Sequence, residues 1–386
     1  MTQESGRLAG LVAVVIGIAL CVSACISPRG QEARELLADI AARGGPSRLK
    51  ETAPEPVRVT IAYRRAAGPA SADLYRNSQP PRGAVVVVPG LTPDGKDDAR
   101  LVAFAKSLAR AQFLVLVPDI ANTRALKVSA ADGAFIADAI DELAQRFPAS
   151  GERSVGLVAI SYAVGPALLA ASQTPAGRYV RFIVAIGGYY DIEAAIAFVT
   201  TGFYRAPDGS WQHVAPNEWG KWVFVRGNAD RVDDPADRER LRRIAERRMA
   251  NPAAEIGDLA ARLGPDGRAV YELVSNGDPA RVPVLIGRLP TAIRDELRRL
   301  DFNGRDFRAI AGPVFLIHGR DDAVIPFSES VKLAEALGPR ADLTILDHFA
   351  HVDAGDIGVA DSLRLWDAAI HILEERDQAP GSSDIP

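Results

Sequence analysis

Six short runs of apolar residues recur along the chain, each only four or five residues long and rich in Val, Ile and Leu. They occupy residues 84–88, 113–117, 155–159, 182–186, 314–317 and 343–346. Such runs are typical of strands that are buried on both faces of a sheet. Segments with the periodicity of helices separate them, at residues 98–109, 132–145, 165–172, 328–337 and 363–374. This alternation predicts an α/β fold, a mainly parallel sheet that helices cover on both faces.

Two further features complete the predicted architecture. Residues 57–63 and 72–75 have the pattern of an antiparallel hairpin, which we place at the edge of the sheet. Residues 191–312 separate two consecutive strands by about 120 residues, far more than an ordinary connection needs. This insertion predicts a large helical cap on a core formed by residues 57–190 and 313–376. Its aromatic residues, among them Trp211, Trp219 and Trp222, are expected to form the cap's own core or a roof over a ligand.

The N-terminal segment has the pattern of an export signal. Residues 8–22 carry no charge, a stretch shorter than the roughly 20 apolar residues of a membrane span and typical of a signal peptide. The following residues, Val22-Ser23-Ala24-Cys25, resemble the lipobox of bacterial lipoproteins. The resemblance implies that residues 1–24 are removed and that Cys25 is acylated. An ordinary signal cut after Ala24 and an uncleaved anchor are the alternatives.

The rest of the domain organisation follows from composition. Residues 25–56 read as a tether with a short helix at residues 31–42, and residues 377–386 as a disordered tail. Acylation at Cys25 would place the folded part outside the cytoplasm, as a membrane-anchored lipoprotein that faces the periplasm or the cell exterior.

Charge and cysteine content exclude several classes of function. The chain has 45 Lys and Arg against 49 Asp and Glu, so it lacks the basic surplus of a nucleic-acid-binding protein. Its two cysteines, Cys21 and Cys25, both precede the folded part. A disulfide scaffold, a thiolate metal site and a cysteine nucleophile are therefore excluded from that part. With only five histidines in addition, we predict no metal and no organic cofactor.

A serine lies where the chemistry of a nucleophile would place it. The apolar run at residues 155–159 leads into Ser161, and a helix-forming stretch follows directly. A strand, a tight turn that carries Ser and a helix are typical of a nucleophile elbow, whose close backbones require small residues on both sides of the turn. Ala159 and Ala163 take the positions where glycine is usual. The alternative is an ordinary serine that caps the helix.

An acid and a base follow at the ends of later strands. Asp322 comes after the run at residues 314–317, and His351 comes after the run at residues 343–346. Both positions lie at the carboxyl ends of neighbouring predicted strands, the edge at which open α/β sheets bind ligands. Ser161 lies at the same edge.

These motifs in this order resemble the α/β-hydrolase superfamily, in particular its serine esterases and dienelactone hydrolases. The resemblance extends over residues 57–375, and the stretches VVVPGL, AISYAVG and IHGRDDAVIP carry it together with the histidine after the last strand. It implies a catalytic triad of Ser161, Asp322 and His351. It also implies that the backbone N–H groups of Leu91 and Tyr162 form the oxyanion hole.

Neighbouring residues offer competing assignments. His348 is the alternative to His351 as the base, and these two histidines with Asp347 and Asp353 are the alternative of a metal cluster. We expect Asp321 to be a solvated loop carboxylate. His318 is expected to have a structural role beside the acid loop.

The sequence therefore predicts an exported, lipid-anchored serine hydrolase that cleaves a small carboxylic ester through an acyl-enzyme. A peptidase or an acyltransferase with the same triad is the enzymatic alternative. A binding lipoprotein that keeps the hydrolase fold without catalysis is the alternative from another class. The oligomeric state and the identity of the ester are beyond what the sequence indicates.

Overall fold

A computed structural model describes residues 27–65, 68–147, 153–349 and 358–378. Cys21, Cys25 and His351 lie outside these ranges, as do the predicted signal peptide and nearly all of the predicted tail. Among the described residues, no helix is both long enough and apolar enough to cross a membrane.

Ten strands and fifteen α-helices make up the described chain. The strands are β1 (Val57–Arg65), β2 (Gly68–Arg76), β3 (Gly83–Val88), β4 (Phe113–Pro118), β5 (Val155–Ile160), β6 (Val180–Ile186), β7 (Phe203–Arg205), β8 (Trp211–His213), β9 (Val314–Gly319) and β10 (Ala341–Leu346). The helices are α1 (Pro28–Ala42), α2 (Arg48–Thr52), α3 (Ala99–Arg110), α4 (Ala121–Arg124), α5 (Asp132–Arg146), α6 (Val164–Gln173), α7 (Ile192–Thr201), α8 (Glu218–Asn228), α9 (Pro235–Ala250), α10 (Gly257–Ala260), α11 (Pro265–Val274), α12 (Val282–Arg288), α13 (Thr291–Leu300), α14 (Ser328–Leu337) and α15 (Val359–Asp377).

Eight strands form one sheet in the order β1-β2-β4-β3-β5-β6-β9-β10. The strands from β4 to β10 in this order are parallel, and the hairpin of β1 and β2 joins them antiparallel at one edge. The predicted α/β class and the predicted edge hairpin are thus confirmed. The parallel strands all run in the same direction, so their carboxyl ends lie together along one side of the sheet, its carboxyl edge.

Apolar side chains cover both faces of the sheet, as the continuous runs predicted. In β3, Val86 and Val88 pack into a core with α5 and α6, while Val85 and Val87 pack into a second core with α1, α3 and α15. Alternation of successive side chains across a strand produces this division. A strand buried on both faces needs apolar residues at every position, and β3 is buried throughout.

The insertion between β6 and β9 forms a separate cluster of helices, α7 to α13, with a hydrophobic core of its own. Trp222 is buried in that core, together with Leu241, Ile244 and Val270 from α9 and α11. The cap also contains the short hairpin of β7 and β8, which the sequence did not predict. Strands of three residues are too short to show an alternating pattern, and the Asp208-Gly209 turn between them is the only local signal.

Much of the segment predicted as a tether is folded onto the core. Helix α1 begins at Pro28, where the Ser27 hydroxyl accepts a hydrogen bond from the amide of Gly30. Within α1, the fully buried Asp39 accepts hydrogen bonds from Ser107 at 2.7 Å and from Lys50 at 2.5 Å. One carboxylate thus joins α1, α2 and α3.

We expect Asp39→Ala to lower the free energy of unfolding by about 3 kcal/mol, because it leaves buried hydrogen-bonding groups without their charged partner. Asp258→Ala is the matched control, since Asp258 forms an exposed ion pair with Arg247. It should change stability far less. Chemical denaturation monitored by circular dichroism measures both effects. Equal stability of the two variants would contradict the role of Asp39.

Candidate active site

Ser161 stands at a sharp turn between β5 and α6. It adopts a φ of 58°, in the left-handed region that residues other than glycine rarely occupy. A single 3₁₀ turn, Ser161–Ala163, connects the strand to the helix. Conformations of this kind cost about 1–3 kcal/mol and persist where the surrounding structure holds them. The strand, strained serine and helix have the geometry that the sequence predicted for a nucleophile elbow.

The residues around the turn are small because the backbones approach closely. Ala159 and Ala163 are both buried, so the methyl groups that replace the usual glycines fit within the packed elbow. Gly90 follows β3, the neighbour of β5, and lies directly against the serine. A Cβ atom on Gly90 would lie 3.2 Å from the Cβ of Ser161 and 3.3 Å from the carbonyl oxygen of Ile160. Any larger side chain at position 90 would press on the turn.

Leu91 and Tyr162, the predicted oxyanion donors, line one cavity together with Ser161. Leu91 follows Gly90 at the end of β3, and Tyr162 is the residue after the serine. One predicted N–H donor therefore belongs to the segment after β3, and the other belongs to the turn that carries the candidate nucleophile.

Asp322 lies in the loop after β9, almost completely buried. Its Oδ1 accepts hydrogen bonds from the amides of Val324 at 2.7 Å and Ile325 at 3.0 Å. Its Oδ2 lies 3.3 Å from Nε2 of His318. Two backbone donors and a buried ring thus fix the carboxylate, which suits a group that must orient a partner.

The His318 ring is buried beneath the acid loop. Its Nδ1 lies 2.7 Å from the hydroxyl of Ser330, and its Nε2 lies 2.9 Å from the carbonyl oxygen of Ile325. Both nitrogens are therefore occupied by partners within this loop and α14. This arrangement agrees with the structural role expected for His318.

The segment after β10 crosses the end of β9. A Cβ atom on Gly319 would lie only 1.7 Å from the carbonyl oxygen of Phe349, so only glycine allows this crossing. Asp321, although exposed as expected, accepts a hydrogen bond from the amide of Phe349 at 3.0 Å. The chain that leads toward position 351 is therefore tied to the loop that carries Asp322.

His348, the alternative base, has a different carboxylate partner. Its Nδ1 lies 3.5 Å from Oδ2 of Asp361, and 71% of its side chain is exposed. Its backbone amide also donates to Asp361, at 3.0 Å. His351 lies outside the described residues. Within the described ranges, no group of three or more His, Cys, Asp or Glu side chains is placed to hold a metal ion.

A cavity of about 1180 Å³ opens in front of Ser161. Its lining is mostly apolar and comes from the sheet, from helices α1, α3 and α15, and from the cap. The cap contributes Ile196, Val223 and Trp219, whose side chain is partly exposed. Trp219 thus fits the predicted roof, whereas Trp222 fits the predicted cap core.

The side chain of Tyr162 is held in a buried polar network. Its hydroxyl accepts from the amide of Ser129 at 2.6 Å and lies 2.9 Å from Oδ2 of Asp132. Burial raises the pKa of the Tyr162 hydroxyl, and the adjacent Asp132 carboxylate raises it further. Burial also raises the pKa of Asp132 to about 6. Sequence reasoning missed Ser129 and Asp132, because an acid in the first turn of a helix is a common feature with no functional meaning by itself.

No protein-family model and no curated protein matches this chain. Solved structures do resemble it. An acylaminoacyl peptidase from Pyrococcus horikoshii has a TM-score of 0.51 at 12% identity, over 87% of this chain and 44% of that one. The Legionella pneumophila protein lpg1103 has a TM-score of 0.52 at 11% identity, over 87% of this chain and 95% of that one.

A third structure is a ligand-bound form of the rice cell wall degrading esterase LipA from Xanthomonas oryzae. Its TM-score is 0.50 at 14% identity, over 82% of this chain and 88% of that one. The chain spans less than half the length of the acylaminoacyl peptidase. At these identities the similarity concerns the arrangement of helices and strands alone.

Proposed function

Because the chain has the α/β-hydrolase fold, we propose that it is a serine hydrolase that cleaves a carboxylic ester. The observation that carries this proposal is the backbone of Ser161, held at a φ of 58° in the lining of the cavity. An ordinary helix-capping serine has no need of a strained conformation. The turn instead presents the hydroxyl at the carboxyl edge of the sheet, where a substrate carbonyl can approach.

In the proposed reaction, Oγ of Ser161 attacks the ester carbonyl carbon while His351 takes the hydroxyl proton. The backbone N–H groups of Tyr162 and Leu91 stabilise the negative oxygen of the tetrahedral intermediate. His351 then gives its proton to the leaving alcohol, which leaves the acyl group on Ser161. A water molecule, activated by the same imidazole, releases the acid and restores the serine.

The buried carboxylate of Asp322 is the proposed partner of His351. Its Oδ1 is held by two backbone amides, so the group is fixed before any substrate arrives. The ionised carboxylate would keep the imidazole in the correct tautomer and stabilise the imidazolium that forms. The crossing of the 349 segment over Gly319 supports this pairing, because it brings the chain close to the acid loop.

The contacts of His348 support His351 as the base. A catalytic imidazole must reach the nucleophile and hold the triad acid at once. His348 is largely exposed and lies beside Asp361 at the start of α15 rather than beside Asp322. Asp361 is buried and accepts hydrogen bonds from the backbone amides of Asp347 and His348, and the first of these is the main reason that its pKa is lowered.

The lining of the cavity supports an ester over a peptide. Apolar side chains from the sheet edge, α1 and the cap surround the space in front of Ser161. Such a surface favours the acyl or alkyl part of an ester and offers few partners to the repeated amide groups of a peptide.

We expect Ser161→Ala and His351→Ala each to lower kcat for p-nitrophenyl esters at least about 1000-fold, because each removes a member of one catalytic unit. His348→Ala is the matched control and should stay within a few-fold of the wild type. Measuring the wild type over a series of acyl chain lengths identifies the ester on which to compare the variants. Loss of activity in His348→Ala with activity retained in His351→Ala would contradict the assignment. Wild-type protein that hydrolyses no ester of the series would favour the binding-protein alternative.

The proposal includes export and acylation at Cys25, for which the sequence of residues 8–25 is the support. Acylation of the first residue of the mature protein would attach α1 and the hydrolase core to a membrane surface, firmly if more than one acyl chain is added.

Cys25→Ser should abolish fatty-acid labelling and release the protein from the membrane fraction, since the variant lacks the thiol that carries the lipid. Cys21→Ser is the control, because position 21 lies in the segment that is removed, and it should keep both properties. Metabolic labelling with a palmitate analogue and fractionation of cells measure them. Unchanged labelling in Cys25→Ser would show that this cysteine is not acylated.

A further inference from the structure

The oxyanion residue Tyr162 is anchored through the far end of its side chain. The hydroxyl accepts a hydrogen bond from the amide of Ser129, and it lies 2.8 Å from the carbonyl oxygen of Ser129 and 2.9 Å from Oδ2 of Asp132. It therefore has its own proton to give to one of two acceptors. Asp132 is itself fixed by Asn122, whose Nδ2 donates to Oδ1 at 2.7 Å.

The same segment is held from its other side by the cap. Oε1 of Glu296, in α13, accepts from the amide of Ala130 at 2.6 Å. Arg231, after α8, donates to the carbonyl oxygen of Val128 at 2.8 Å and lies 3.4 Å from Glu296. Residues 128–132 are thus held between the cap and the residue that follows the candidate nucleophile.

We propose that the Tyr162 hydroxyl and Asp132 are positioning residues that hold the Tyr162 amide in its oxyanion-stabilising orientation. This inference rests on the proposed function. The peptide that joins Ser161 to Tyr162 carries the donor N–H, and it lies directly after the strained φ of Ser161. Strain of this kind persists only where several contacts hold it. The turn itself is short, and the hydroxyl of Tyr162 fixes its residue from a second, distant point.

The charge on Asp132 determines how firmly this anchor holds. An ionised carboxylate is an acceptor only, and a hydrogen bond to it is stronger than one to a neutral group. Burial raises the pKa of Asp132 to about 6, against the effect of hydrogen bonds from Asn122 and Tyr162. Glu296 raises this pKa further, and Arg231 lowers it. As the pH falls through about 6, Asp132 gains a proton and the Tyr162 hydroxyl loses its charged acceptor.

Two variants remove the anchor in different ways. Tyr162→Phe keeps the buried ring and deletes the hydroxyl. Asp132→Asn keeps the shape of the side chain and removes its charge at every pH. We expect each to lower kcat about tenfold with KM nearly unchanged, a smaller loss than the 100- to 1000-fold cost of deleting an oxyanion donor. Asp138→Asn is the matched control on the same helix, because Asp138 is only partly buried and is not among the partners of Tyr162.

The pH profile of kcat separates positioning from a merely structural role. The wild type and Asp138→Asn should lose activity below about pH 6 with two ionisations, those of the catalytic histidine and Asp132. Asp132→Asn should show only one. Thermal unfolding of each variant confirms that it is folded at the assay temperature.

Three results would overturn the inference. The first is that both variants keep the kcat of the wild type and lose activity at low pH as the wild type does, while Ser161→Ala is inactive. The second is that the variants lose activity only in proportion to their lowered thermal stability, while the pH profile of kcat for Asp132→Asn still shows two ionisations. The third is a wild type without Ser161-dependent turnover, which contradicts the proposed function itself and this inference with it.

Discussion

The candidate site depends on one backbone conformation, the left-handed φ of Ser161 at the end of β5. Because this conformation is costly, it persists only where the surrounding residues hold it. Gly90 comes within contact distance of the serine, where a side chain would press on the turn. Ala159 and Ala163 are both buried beside it. This packing holds the backbone of Ser161 at the carboxyl edge of the sheet.

The sheet brings the other parts of the site to the same place. Parallel strands end along one edge, so the segments after β3, β5 and β9 meet there although about 230 residues separate the first from the last. Buried hydrogen bonds then fix each segment: backbone amides hold Asp322, and Ser330 and Ile325 hold His318 beneath it. The apolar strands supply the rigid support, and these polar contacts supply the orientation.

The sequence predicted the parts of the molecule that have strong local signals. Continuous Val and Ile runs predicted strands such as β3, which is buried on both faces, and the change from strand to helix around Ser161 predicted the tight turn that carries this serine. The cap was predicted from the length of the insertion and from the helix-forming stretches within it, such as residues 234–250. The β7–β8 hairpin was not, because strands of three residues carry no periodic pattern.

Contacts between distant segments were also beyond the sequence. Nothing near Asp39 indicates that it joins three helices, and nothing near Asp132 indicates that it faces Tyr162. Both are ordinary acids in amphipathic helices until the fold brings their partners to them. The link between Glu296 of the cap and Ala130 joins residues 166 positions apart, a distance at which no local pattern operates.

The proposed hydrolase activity requires that the strained serine is a nucleophile. Treatment of the folded protein with a fluorophosphonate, followed by peptide mapping in a mass spectrometer, tests it most directly. A nucleophilic Ser161 forms a single adduct, which is absent from Ser161→Ala and from wild-type protein that is denatured before treatment. Ser362 lines the same cavity and serves as an internal control that should remain unmodified. Absence of an adduct in the folded wild type, or an adduct on Ser362 in place of Ser161, would contradict the account.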